Sequence, residues 1–79
     1  MEPREELLKR ITIVPGLCSG KPTIRGQRFP VSDVLELLAS GLSATQIIEQ
    51  HPALETEDIQ ASLLYASLKL NNTRTIHAA

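Results

Sequence analysis

The first run of hydrophobic positions, Arg10-Ile11-Thr12-Ile13-Val14, is dense in β-branched side chains and meets Pro15-Gly16, which predicts a short strand. Breakers then recur every few residues, at Pro15, Gly16, Gly20, Pro22, Gly26 and Pro30, and no helix survives that density. Thr23 to Phe29 reads as a tight bend centred on Gly26, because glycine reaches positive φ without a Cβ clash. After Pro30 the period becomes helical. Val31, Val34, Leu35 and Leu38 line one stripe across Ser32 to Ser40. Ser32 is the expected N-cap, Asp33 and Glu36 lie early where the helix dipole favours acids, and Gly41 follows as the C′ residue. Ser43-Ala44-Thr45-Gln46 then spells a capping box, with Leu42 and Ile47 as its hydrophobic staple, and this second helix stops before Pro52. Thr56 is the expected cap of a third helix carrying Glu57 and Asp58 in its first turn. Ile59, Leu63, Ala66 and Leu70 form its stripe. Leu64 and Leu68 widen that stripe beyond the needs of one small core and mark a dimer or partner patch. Asn71-Asn72 ends the helix, leaving a tail that carries Arg74 and His77.

These elements predict one mainly α domain over 1–79: an N-terminal arm or frayed helical turn (1–9), a basic β/extended hairpin segment (10–30), a three-helix bundle (31–70) and a tail (71–79). With 79 residues, folding buries only about 60% of the unfolded surface, too little for two cores. Hydrophobic residues make up 42% and aromatics 3%, with Phe29 and Tyr65 alone, so the core is aliphatic and a stacking platform for single strands is not expected. No apolar run approaches the length of a membrane span and no signal peptide opens the chain, so a cytoplasmic chain without membrane contact is expected.

The net charge is only −1, but the charges are segregated. Lys9 to Arg28 holds Lys9, Arg10, Lys21, Arg25 and Arg28 without an acid. Asp33 to Asp58 holds Asp33, Glu36, Glu49, Glu55, Glu57 and Asp58 without a lysine or arginine. The first half is a candidate binding face for nucleic acid or an acidic partner, carried by Lys21, Arg25 and Arg28 on a loop bent by Gly20, Pro22 and Gly26. Alternatively, Arg25 or Arg28 only pairs with a helix acid such as Asp33 or Glu36. Catalysis has little to work with, because the acids sit at helix starts where capping accounts for them. Cys18 reads as a small hydrophobe, and neither His51 nor His77 has a neighbour at metal-ligand spacing, so no enzyme, metal or cofactor is expected. Gly20-Lys21-Pro22-Thr23 lacks the frame of a phosphate loop. The second and third helices suggest a helix-turn-helix, although the connection from His51 to Glu55 is long and Glu57 and Asp58 would meet phosphates badly. An arginine on a stiff loop also suits a cluster of carboxylates, such as a nuclease uses to hold its metal ions.

Ile11-Thr12, Pro15 and the block Cys18-Ser19-Gly20-Lys21-Pro22-Thr23-Ile24-Arg25-Gly26-Gln27-Arg28-Phe29-Pro30-Val31 resemble the signature of a prokaryotic domain-of-unknown-function family, number four-three-three. The likeness continues through Leu35, Leu38, Gly41-Leu42-Ser43, Ile47-Ile48, His51-Pro52-Ala53-Leu54, Glu57-Asp58-Ile59 and Leu63-Leu64-Tyr65-Ala66. The resemblance implies a small helix-turn-helix-like or homeodomain-like fold and a VapB-type antitoxin that binds a PIN-like ribonuclease toxin. Operator DNA and a second copy of the chain are the further partners expected. The alternative is a DNA-binding regulator without a toxin.

Overall fold

The computed structural model describes residues 2–71. The chain forms α1 (Arg4–Leu8), β1 (Ile11–Ile13), β2 (Pro22–Ile24), α2 (Val31–Ala39), α3 (Ala44–Gln50) and α4 (Thr56–Asn71). A single 3-10 turn, Cys18–Gly20, lies between the strands. The molecule is thus mostly helical with a short two-stranded antiparallel sheet, and the end of the tail, with Arg74 and His77, lies outside the described residues.

Register explains the hairpin. Ile11 stands opposite Ile24, Thr12 opposite Thr23 and Ile13 opposite Pro22. The two threonine hydroxyls meet at 3.0 Å, and the Gly26 amide donates to the Thr12 hydroxyl at 2.8 Å. Ile24 points the other way and is fully buried among Val31, Val34, Ile47, Leu54 and Ile59. Tyr65 and Phe29 are only half-buried against this aliphatic centre.

Three helix starts obey different rules. Around Ser43 the capping box forms as the sequence predicts: the Gln46 amide donates to the Ser43 hydroxyl at 3.1 Å, and the Ser43 amide donates to the Gln46 side chain at 2.8 Å. Ser32, in contrast, is not the cap of α2. The helix begins one residue earlier, with Pro30 in the capping position and no side-chain cap. The φ of −68° at Pro30 and its bridge to Thr23 set the entry angle, and Val31 must go inside. Thr56 is already helical. The turn before it is closed by Asp58, whose carboxylate accepts from the Glu55 amide at 2.8 Å.

Two further expectations are corrected. Of the two readings of the N-terminal segment, Arg4–Leu8 takes the helical one and is not a loose arm: α1 packs on α4 and buries Leu7. The inward face of α4 is Asp58, Ile59, Ala61 and Ser62, whereas Leu63 is 50% and Leu70 73% exposed. Of the expected stripe, Ile59 is buried and Ala66 half-buried, while Leu63 and Leu70 are turned outward because Asp58 is drawn in toward the hairpin. Leu64 and Leu68, the expected patch, are only half-buried.

Candidate functional site

The turn that follows β2 carries the first unusual geometry. Arg25 and Gly26 have φ of +45° and +72°, and the Gln27 amide closes the turn on the Ile24 carbonyl at 2.8 Å. Those signs belong to a type I′ turn, whose first central position normally takes Asn, Asp or Gly. An arginine there costs about 1 kcal/mol of backbone strain. The side chain offsets that cost. Its Nε and Nη2 grip the two Asp58 oxygens at 3.0 and 2.8 Å, and Nη2 also donates to the Ala53 carbonyl at 2.8 Å.

Asp58 has no solvent exposure and collects a second arginine. Arg10 Nη1 donates to it at 3.1 Å and to Glu55 at 2.8 Å. The rest of that guanidinium forks onto Glu2, at 3.2 and 2.7 Å. Arg10 just before β1, Arg25 in the turn after β2 and the Glu55 amide therefore converge on one carboxylate at the start of α4, and Glu2 is held through Arg10. Burial alone would push the Asp58 carboxyl up, but hydrogen bonds from Arg25, the Glu55 amide and Arg10 outweigh it and hold the group below its usual range. Glu2 is also lowered, chiefly by its hydrogen bond from Arg10. Both guanidiniums are held more firmly charged, Arg10 first through Glu2 and Arg25 first through Asp58.

The three basic residues singled out in the sequence are therefore not gathered into one patch. Arg25 is committed to Asp58, not to Asp33 or Glu36. Arg28 lines a polar recess with Asp33, Glu36 and His51, although none of the ion pairs among the described residues includes it. Lys21 is exposed at the rim of an apolar groove. Gly20 and Gly26 adopt φ of +77° and +72° and serve the turns, while Pro22 opens β2. Cys18 is half-buried within the left-handed turn. His51 stacks edge-on against Phe29 at 5.1 Å, and no group of three or more metal-ligating side chains gathers among the described residues.

Arg10, Glu2, Glu55 and Asp58 were missed as a set. Their signal lies in α4, where Asp58, Ala61, Ser62 and Tyr65 share a face at helical spacing as consistently as the more apolar stripe does.

The opposite flank of the hairpin is apolar. One open groove of about 440 Å³ runs between β2, α2 and the end of α4, walled by Pro22, Val31, Leu35, Tyr65 and Leu70. A second, of about 290 Å³, is walled by Leu8, Ile11, Ile13 and Leu68. Tyr65 and Lys69 line both, with the Lys69 ammonium 5.5 Å from the Tyr65 ring centre.

Comparison with known proteins follows the same span. The family described as "Protein of unknown function (DUF433)" matches residues 11–66, the region from β1 to Ala66. An uncharacterized protein of Sinorhizobium fredii, y4eO, is 38% identical over 56 residues, which are 71% of this chain and 25% of that protein. The chain thus spans about a quarter of the length of that relative. The crystal structure of a DUF433 member from Anabaena variabilis superposes with a TM-score of 0.74 at 28% identity, covering 85% of this chain and 66% of the other.

Proposed function

The chain belongs to the DUF433 family, and from that premise we propose that it is a non-enzymatic, antitoxin-like interaction module that binds and neutralises a PIN-like ribonuclease toxin. The observation that carries the choice of a protein partner is the exposed apolar surface: Ile13 is 60% and Leu70 73% exposed, and each lines one of two apolar grooves. Exposed apolar area concentrated on one side is characteristic of protein-binding faces. The toxin class is what the sequence resemblance to the DUF433 family implies. A second copy of the chain and operator DNA belong to the same proposal, with α3, the 51–55 connection and α4 as a homeodomain-like unit. DNA receives less support, since Arg25 is withdrawn into an ion pair and the start of α4 carries Glu57 and a buried Asp58.

Expressing each PIN-like ribonuclease of the host with and without the chain tests the reading. One of them is expected to copurify in stoichiometric amount and to lose its RNA cleavage. If none binds, and the chain instead binds its own promoter at physiological salt, the alternative of a DNA-binding regulator replaces this one.

A further inference from the structure

We infer that the paired grooves around Tyr65 form one docking strip for an acidic amphipathic helix of a partner protein. This rests on the reading of the chain as a protein-binding module and specifies where and what it binds. Tyr65 and Lys69 line both grooves, so the two are halves of one surface, running from Ile11 and Ile13 on β1 to Leu35 on α2 and Leu70 at the end of α4. A strip of spaced apolar hollows suits the i, i+3, i+4, i+7 anchors of a helix.

Charge decides the occupant's flanks. Among the described residues, the ionisable groups lining the strip besides the Tyr65 phenol are Lys21 and Lys69, and no acid lines either groove. Lys21 takes part in none of the ion pairs among the described residues. The acids of the hairpin side are held elsewhere, with Glu2, Glu55 and Asp58 all drawn to Arg10 and Arg25. A partner helix with glutamates beside its apolar face therefore meets complementary charge, and a lysine-flanked one meets repulsion. The positions changed in the test lie outside the core, since Leu70 is 73% exposed and Lys21 is exposed.

The test is a fluorescence titration of the full chain with a labelled amphipathic peptide of about four helical turns, leucines on one face and glutamates on its flanks. The control peptide replaces those glutamates by lysines. The acidic peptide is expected to bind at least ~10-fold more tightly than the control, a difference of about 1.4 kcal/mol. Lys21→Glu with Lys69→Glu should reverse the preference, and Leu70→Gln should weaken both peptides. Lys21→Glu alone should move affinity in the same direction, and it leaves the Lys69–Tyr65 contact untouched. Equal binding of the two peptides, or binding of neither, overturns the inference. So does a chain that sediments as a dimer and becomes monomeric on Leu70→Gln, because a second copy then fills the strip. The two readings fail separately. If a nuclease binds the chain and the Lys21→Glu and Leu70→Gln variants equally well, the docking strip falls and the antitoxin reading stands. If the acidic peptide binds in the strip and no nuclease binds the chain, the strip stands and the antitoxin reading falls.

Discussion

Asp58→Ala is expected to cost about 3–5 kcal/mol, because it leaves Arg10 and Arg25 facing each other without the carboxylate between them. The Glu55 amide loses its acceptor in the same step. Arg10 is 17% and Arg25 34% exposed at the side chain, so water relieves part of the penalty and the lower end of that range is expected. A chain of 79 residues has a stability of roughly 4–12 kcal/mol, so the loss takes a large share. Urea denaturation followed by circular dichroism measures it. Asp58→Asn retains an acceptor for the Glu55 amide but loses both ion pairs, and it should fall between wild type and Asp58→Ala.

The second large effect is acid sensitivity. The folded-state carboxyl of Asp58 lies below its unfolded value. Its contribution is therefore fully present above the unfolded pKa of about 3.9 and is lost as pH falls through the lower folded value. Glu2 adds a change of the same sign. Arg10 and Arg25 are raised, so both stay charged throughout the acid and neutral range and the acid loss is set by the carboxylates. The denaturation midpoint of the wild type should hold steady from pH 7 to about 5 and then fall below about pH 4. The gap to Asp58→Asn, open at pH 7, should close as the wild-type carboxyl protonates. Parallel curves for the two proteins down to about pH 2 would contradict the role given to Asp58.

Local signals in the sequence were enough for most elements. The strand at Ile11–Ile13, the bend at Gly26 and the capping box at Ser43 follow from side-chain sterics and neighbouring hydrogen bonds, and all three form. What was hidden depends on partners far along the chain. Asp58 reads as an ordinary helix-start acid until Arg25, from 33 residues earlier, reaches it. That contact also turns α4, so Ala61 and Ser62 face inward while Leu63 and Leu70 face solvent. Leu7 gives too short a pattern to announce α1, which is stable only because α4 lies beneath it. Segregated charge suggested a basic face, yet Arg25 is consumed internally, Arg28 stands beside Asp33 and Glu36, and Lys21 edges an apolar strip. The Gly-Lys-Pro…Ile-Arg-Gly block therefore combines roles that its spacing alone does not separate: turns at Gly20 and Gly26, core at Ile24, an anchor at Arg25 and a rim at Lys21.

The central claim is that Arg25 fastens the hairpin to α4, and a double-mutant cycle on Arg25→Ala and Asp58→Ala tests it most directly. Urea denaturation of the four proteins should give a coupling above about 1 kcal/mol, with Arg28→Ala as a control costing less than about 0.5 kcal/mol. Additive losses at Arg25 and Asp58, within about 0.5 kcal/mol, would contradict the claim and return Arg25 to the surface as a residue for some other molecule.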